Sequence, residues 1–221
     1  MPALWTHLVK DLRIEWRSMD ALISMLFFSG LVVVLFSIAF DPRGEFAQHI
    51  AGGVLCVATM FASVSALNQA WAREIRHNVM DAQRMVPSPG SELYLAKVLV
   101  NFLFVTIVQI ILAPFFFIFY NLHVAGQGWL LALVLPLGTW ALVGNGIFFA
   151  ALAMTSRNRE LLLSLILFPI FIPALLAMVQ ATTSILTGES DPSLWIKMLL
   201  GYDIIFTTVS WLLFDTIFHA E

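Results

Sequence analysis

Five histidines, one cysteine and two aspartates within apolar stretches are the side chains of this 221-residue chain that could do chemistry away from water. Histidine and cysteine suggest metal or haem ligation, and an acid inside a membrane segment suggests a proton path or a partner contact. His7, His77 and His219 fall on one side of the apolar runs, while His49 and His123 sit at loop ends on the other. No two make an HxxxH or HExxH pair and no cysteine stands beside one, so a metal set is not indicated. His49 and His123 are the candidates for a haem contact at the outer surface; the plainer reading of each histidine is a polar residue near lipid headgroups. Cys56 is alone in an apolar run, which excludes an intramolecular disulfide and a CxxCH haem-attachment site.

Asp203 and Asp215 are the candidate pathway or partner-contact residues. Asp203 follows Gly201-Tyr202 and is expected near the outer end of the last apolar run, with Asp215 about a turn from its inner end. Neither makes a proton relay alone. There is no GxxxxGK[ST] phosphate loop, no GxSxG nucleophile elbow and no internal repeat of a secondary transporter. The chain is therefore read as a non-enzyme that binds no cofactor of its own, and energy for work against a gradient is expected from a partner.

The elements that must position these residues are membrane helices. The composition is 60% hydrophobic and 11% charged, and the mean hydropathy is +0.91. A soluble domain of this size could not cover that much apolar surface. The expected fold is an all-α membrane protein with six transmembrane helices at about 21–40, 50–70, 95–120, 129–154, 161–185 and 196–218. Residues 1–20 form an amphipathic helix, with Trp5, Leu8, Val9, Leu12, Trp16 and Met19 at helical spacing and Lys10, Arg13 and Arg17 on another face. Tryptophans with basic residues suit the membrane surface, and the acids in this stretch separate it from a signal peptide. Ala58, Ala62, Ala66 and Ala70 form a small-xxx-small ladder for close helix packing, and Pro169 and Pro173 free carbonyls that a neighbouring helix or a cavity must satisfy.

Orientation follows from charge. Lys10, Arg13, Arg17, Arg73, Arg76, Arg84, Lys97, Arg157 and Arg159 fall on one side, and only Arg43 and Lys197 on the other. The positive-inside rule then puts both termini and the polar break at 71–92 in the cytoplasm. That break reads WAREIRHNVMDAQRMVPSPGSE. A helix from about Ala72 should end by Met85, since the residue before each proline is biased away from helix. A short cytoplasmic helix between spans two and three suits contact with a soluble partner.

The chain resembles the type-2 ATP-binding-cassette exporter permeases and, within them, is similar to the cytochrome c maturation protein B family along essentially its whole length. The resemblance rests on Lys10-Asp11-Leu12-Arg13-Ile14-Glu15-Trp16-Arg17, on Glu74 with Pro87 and Leu93-Tyr94-Leu95-Ala96-Lys97, and on Gly201-Tyr202-Asp203. It implies a haem exporter permease subunit in the bacterial inner membrane, with haem as cargo and ATP used through a partner subunit. The implied partners are the ATPase subunit (cytochrome c maturation protein A), the haem-handling membrane subunit (cytochrome c maturation protein C), the small cytochrome c maturation protein D and membrane lipids, with no nucleic acid. Glu74, Arg76, Met80, Asp81, Arg84 and Pro87 become the candidate ATPase-coupling residues, with docking near Met80–Arg84. The family's central segment commonly carries acids and a glycine before a Leu-Glu pair. Here Arg76, His77, Asn78 and Met80-Asp81 stand there, which makes the surface more basic. The alternatives are a type-2 exporter permease for another hydrophobic or glycan cargo and, in another class, an intramembrane enzyme built on Asp203 or the histidines.

Overall fold

The computed structural model describes residues 2–40, 47–72, 74, 89–120, 127–153 and 159–218, and every extended element among them is a helix. In chain order these are α1 (Pro2–Ser18), α2 (Asp20–Ala39), α3 (Ala47–Ala70), α4 (Gly90–Tyr120), α5 (Leu131–Leu152, entered through a 3-10 turn at Gly128–Leu130), α6 (Arg159–Thr187) and α7 (Ser193–Phe218). Six of them, α2 to α7, contain stretches long and apolar enough to cross a bilayer. The chain is an all-α, multi-pass membrane protein, as the hydropathy of the sequence leads one to expect.

Glycine and alanine set how closely the central helices approach. A Cβ on Gly52 of α3 would come within 2.9 Å of the Thr183 backbone nitrogen in α6, so only glycine fits that crossing. Ala58, Ala62 and Ala66 are all buried within the chain, so the alanine ladder serves internal packing. Pro169 and Pro173 both lie inside α6, and the Ile170 carbonyl between them accepts a hydrogen bond from the Tyr202 hydroxyl of α7 at 2.8 Å. Gln109 of α4 donates to Thr59 of α3 (3.1 Å) and Thr139 of α5 (2.8 Å), tying three spans together at depth.

α1 breaks from α2 at Met19, which takes a left-handed conformation (φ 57°) and donates its N–H to the Glu15 carbonyl at 3.0 Å. The turn lays α1 against α4. Its apolar residues divide: Leu8 and Leu12 pack on the core, while Trp5 and Trp16 stay exposed. The acids of α1 meet the bundle instead, and they lead to the site.

Candidate functional site

Lys97 is the centre of this site. α4 begins at Gly90, so Lys97 is two turns inside a helix and its side chain is buried. Its Nζ donates to Glu74 Oε1 at 2.7 Å, to the Ala70 carbonyl at 2.8 Å and to Asp11 Oδ2 at 3.4 Å. It also lies 4.5 Å from the centroid of the Trp71 ring, within range of a cation–π attraction. Lys10 of α1 adds a second cation, 2.9 Å from Asp11 Oδ1 and 3.7 Å from Glu74 Oε1. Two ammonium groups thus meet two carboxylates, so the cluster is formally neutral. The low exposure of Glu74 and Lys97 raises the interaction energy and the cost of losing either partner.

Aromatic rings continue the join into the bundle. Trp71 is fully buried, donates Nε1 to the Ile147 carbonyl of α5 at 3.3 Å and stacks on Phe214 of α7, with centroids 6.1 Å apart. Tyr94 packs on the same Phe214 ring at 5.3 Å and donates to the Gly144 carbonyl of α5 at 3.2 Å. Two carboxylates meet helix N-termini nearby. Asp215 Oδ1 accepts from the Ser91 N–H at the start of α4, and Glu92 Oε2 accepts from the Leu4 N–H at the start of α1, each at 2.8 Å. Negative charge is favourable at those positive helix ends. Burial and the adjacent Lys10 hold His7 of α1 below its ordinary value of 6.5.

The structure brings together segments that are far apart in sequence. Asp11 of the N-terminal motif, Glu74 of the central break and Lys97 of the Leu-Ala-Lys closing meet in one polar crevice that Glu15 and Asn101 also line, and Lys10 pairs with both acids. Of the candidate coupling residues, Glu74 is buried in this cluster, while Arg76, Met80, Asp81, Arg84 and Pro87 lie outside the described residues. Sequence reasoning carried Lys97 as a cytoplasmic charge and as the last residue of the Leu93–Lys97 closing, but missed its pairing with Glu74 and Asp11 and the place of Trp71. The available signal was a lysine placed inside an apolar run, with acids in two neighbouring segments to pair with it.

The remaining candidates are dispersed. His49 Nε2 lies 3.5 Å from Glu189 Oε1 at the α3 and α6 ends, and His123 lies outside the described residues. Asp215 is a helix-capping residue, as its bond to Ser91 shows. Asp203 stands ten residues after Ser193 within α7, buried against the neighbouring helices. Among the described residues no group of three His, Cys, Asp or Glu side chains is placed to hold a metal ion. The cluster offers no nucleophile with a neighbouring base. Its contacts join α1, the outgoing end of α3, α4, α5 and α7.

The pattern of the family described as CcmB protein matches residues 2–216. The curated protein "Heme exporter protein B" of Pseudomonas aeruginosa is 29% identical over 202 residues, covering 90% of this chain and 90% of its own. The protein of the same name from Bradyrhizobium diazoefficiens is 30% identical over 189 residues (85% and 84%). That from Paracoccus denitrificans is 29% identical over 185 residues (84% of each).

Proposed function

This chain belongs to the CcmB protein family, and we propose on that footing that it is the membrane permease subunit of an ATP-binding cassette complex serving haem export in cytochrome c maturation. Its relatives' name as haem exporters supports haem as cargo. ATP is bound and hydrolysed by a partner subunit, cytochrome c maturation protein A, and the haem-handling protein C and the small protein D of the same system complete the assembly. The distribution of lysine and arginine supports a place in the bacterial inner membrane with both termini in the cytoplasm.

In this reading the 71–92 segment is a lever. Closure of the ATPase moves the part near Met80–Arg84, and the movement enters the membrane through the segment's first residues. The observation that carries the proposal is the anchoring of Trp71 and Glu74. Glu74 is bound to Lys97 of α4 and lies 3.7 Å from Lys10 of α1, while Trp71 is bound to the Ile147 carbonyl of α5 and stacks on the Phe214 ring of α7. A load applied there reaches four helices at once, as a rigid-body shift of packed elements. Arg76, Asp81 and Arg84 form the docking surface, and Pro87 ends the lever before α4 begins.

The test replaces Met80, Asp81 and Arg84, with charge reversal at the last two. The complex should insert and hydrolyse ATP, but cytochrome c assembly should fail because hydrolysis no longer moves the spans. Normal cytochrome c assembly in a version that also breaks the segment with glycine would sink the lever.

A further inference from the structure

The side of α7 that packs on α5 and α6 carries polar groups along a helix apolar enough to cross a membrane, and nearly all are satisfied. Tyr202 donates to Ile170 O and accepts from Asn145 Nδ2 of α5 at 3.2 Å. Thr207 accepts from Trp140 Nε1 of α5 at 2.9 Å, and Ser210 shares a hydrogen bond with Tyr94. Asp203 is the exception. It is 7% exposed, and both its carboxyl oxygens are buried without a hydrogen-bond partner. Asn145 Oδ1, on the helix facing α7, is a second buried acceptor without a donor.

Nothing fixed in the described residues balances a charge at Asp203. α5 contains no ionisable side chain, and α6 has only Arg159 and Glu160, at its first two positions. In α4 the ionisable groups are Glu92, Tyr94, Lys97 and Tyr120; Lys97 is committed to Glu74 and Asp11, and Glu92 to the start of α1. On α7 itself Lys197 lies six residues away near the outer end, Tyr202 is bonded to α5 and α6, and Asp215 caps α4. A buried carboxylate with neither a cation nor a donor is among the costliest groups a membrane protein can hold. A neutral carboxylic acid removes that cost and supplies an O–H in a seam that has acceptors to spare.

We propose that Asp203 is a proton-binding site within the α7 span, neutral while the seam between α5 and α7 is closed. When the seam opens to water, the O–H bond breaks, the proton passes to water and a hydrated carboxylate remains. Closure reverses the step, so the proton count follows the state of the seam. This inference stands whatever the cargo and whichever subunit supplies energy.

The experiment is infrared spectroscopy of 13C-aspartate-labelled chain in lipid vesicles at neutral pH, comparing wild type with Asp203→Asn. The carbonyl stretch of one protonated carboxyl should be present in wild type and missing in the variant. In heavy water this band should shift slowly, and faster in Tyr202→Phe, which loosens the seam. Loss of an ionised-carboxylate band in D203N instead would overturn the proposal, as would exchange in wild type as fast as at exposed carboxyls. Thermal unfolding is the second readout: D203N should melt with wild type, and a fall of several degrees would mean that Asp203 is charged and held by a cation.

Discussion

Lys97→Met removes the cation that holds the joint while keeping the side chain close in size. At 2.7 Å from Glu74 the gross attraction is about 6 kcal/mol at an effective dielectric constant of ~20. Desolvation cancels much of it, but removing one partner of a buried pair typically costs ~3–5 kcal/mol because the other charge stays behind. Lys10 still faces both acids, at 2.9 and 3.7 Å, but it is more exposed, which places the expected loss at the lower end of that range, about 3 kcal/mol. For a chain of this length ~3 kcal/mol corresponds to about 6–12 °C in Tm. The assay is thermal unfolding of purified protein in one detergent. The triple variant D11L/E74L/K97M, which removes the ion cluster together with its anions, should recover most of the loss, since apolar replacement of a buried pair is often neutral. An unchanged Tm in K97M, or a triple variant no more stable than the single one, would refute the reasoning.

Three further outcomes follow from the same geometry. Tyr202→Phe removes the hydroxyl that donates to the Ile170 carbonyl and accepts from the Asn145 amide, which keeps only its bond to the Ala141 carbonyl, so unfolding free energy should fall by ~1–3 kcal/mol, read as a lower midpoint in denaturant. Gly52→Ala puts a methyl 2.9 Å from a backbone nitrogen of α6, forcing the helices apart, at a cost of about 1–3 kcal/mol in the same assay. His7 is held below 6.5 in the folded chain by burial and by Lys10, so the unfolded chain binds a proton first as pH falls. Its contribution is therefore present above 6.5 and is lost as pH drops below that value; melting curves should show this loss in wild type and a smaller one in His7→Gln.

Helix positions were legible in the sequence because an uncharged apolar run of about twenty residues has the length of a bilayer crossing and too little polar surface for anything else. Helix packing was legible in part. The Ala58–Ala70 ladder and the proline pair announced a close approach and freed carbonyls, but only the fold shows that Thr183 meets Gly52 and that Tyr202 bonds to Ile170. The joint was least legible. Lys10, Asp11, Glu74 and Lys97 were each visible as motif residues, yet their pairing depends on how α1 turns at Met19 and where α3 ends. Charge position along a chain says which side of a membrane a residue faces; it does not say which partner it meets. Asp203 was visible as an acid inside the last apolar run, but only the fold shows that both its carboxyl oxygens are buried without a hydrogen-bond partner.

The most direct test of the lever is affinity purification of the tagged chain from its own membranes in mild detergent, recording the co-purifying subunits and the visible absorption spectrum. An ATPase subunit and a haem-binding membrane partner with a Soret band should accompany the chain. An ATPase without haem would contradict the cargo, and a preparation with no ATPase would contradict the lever itself.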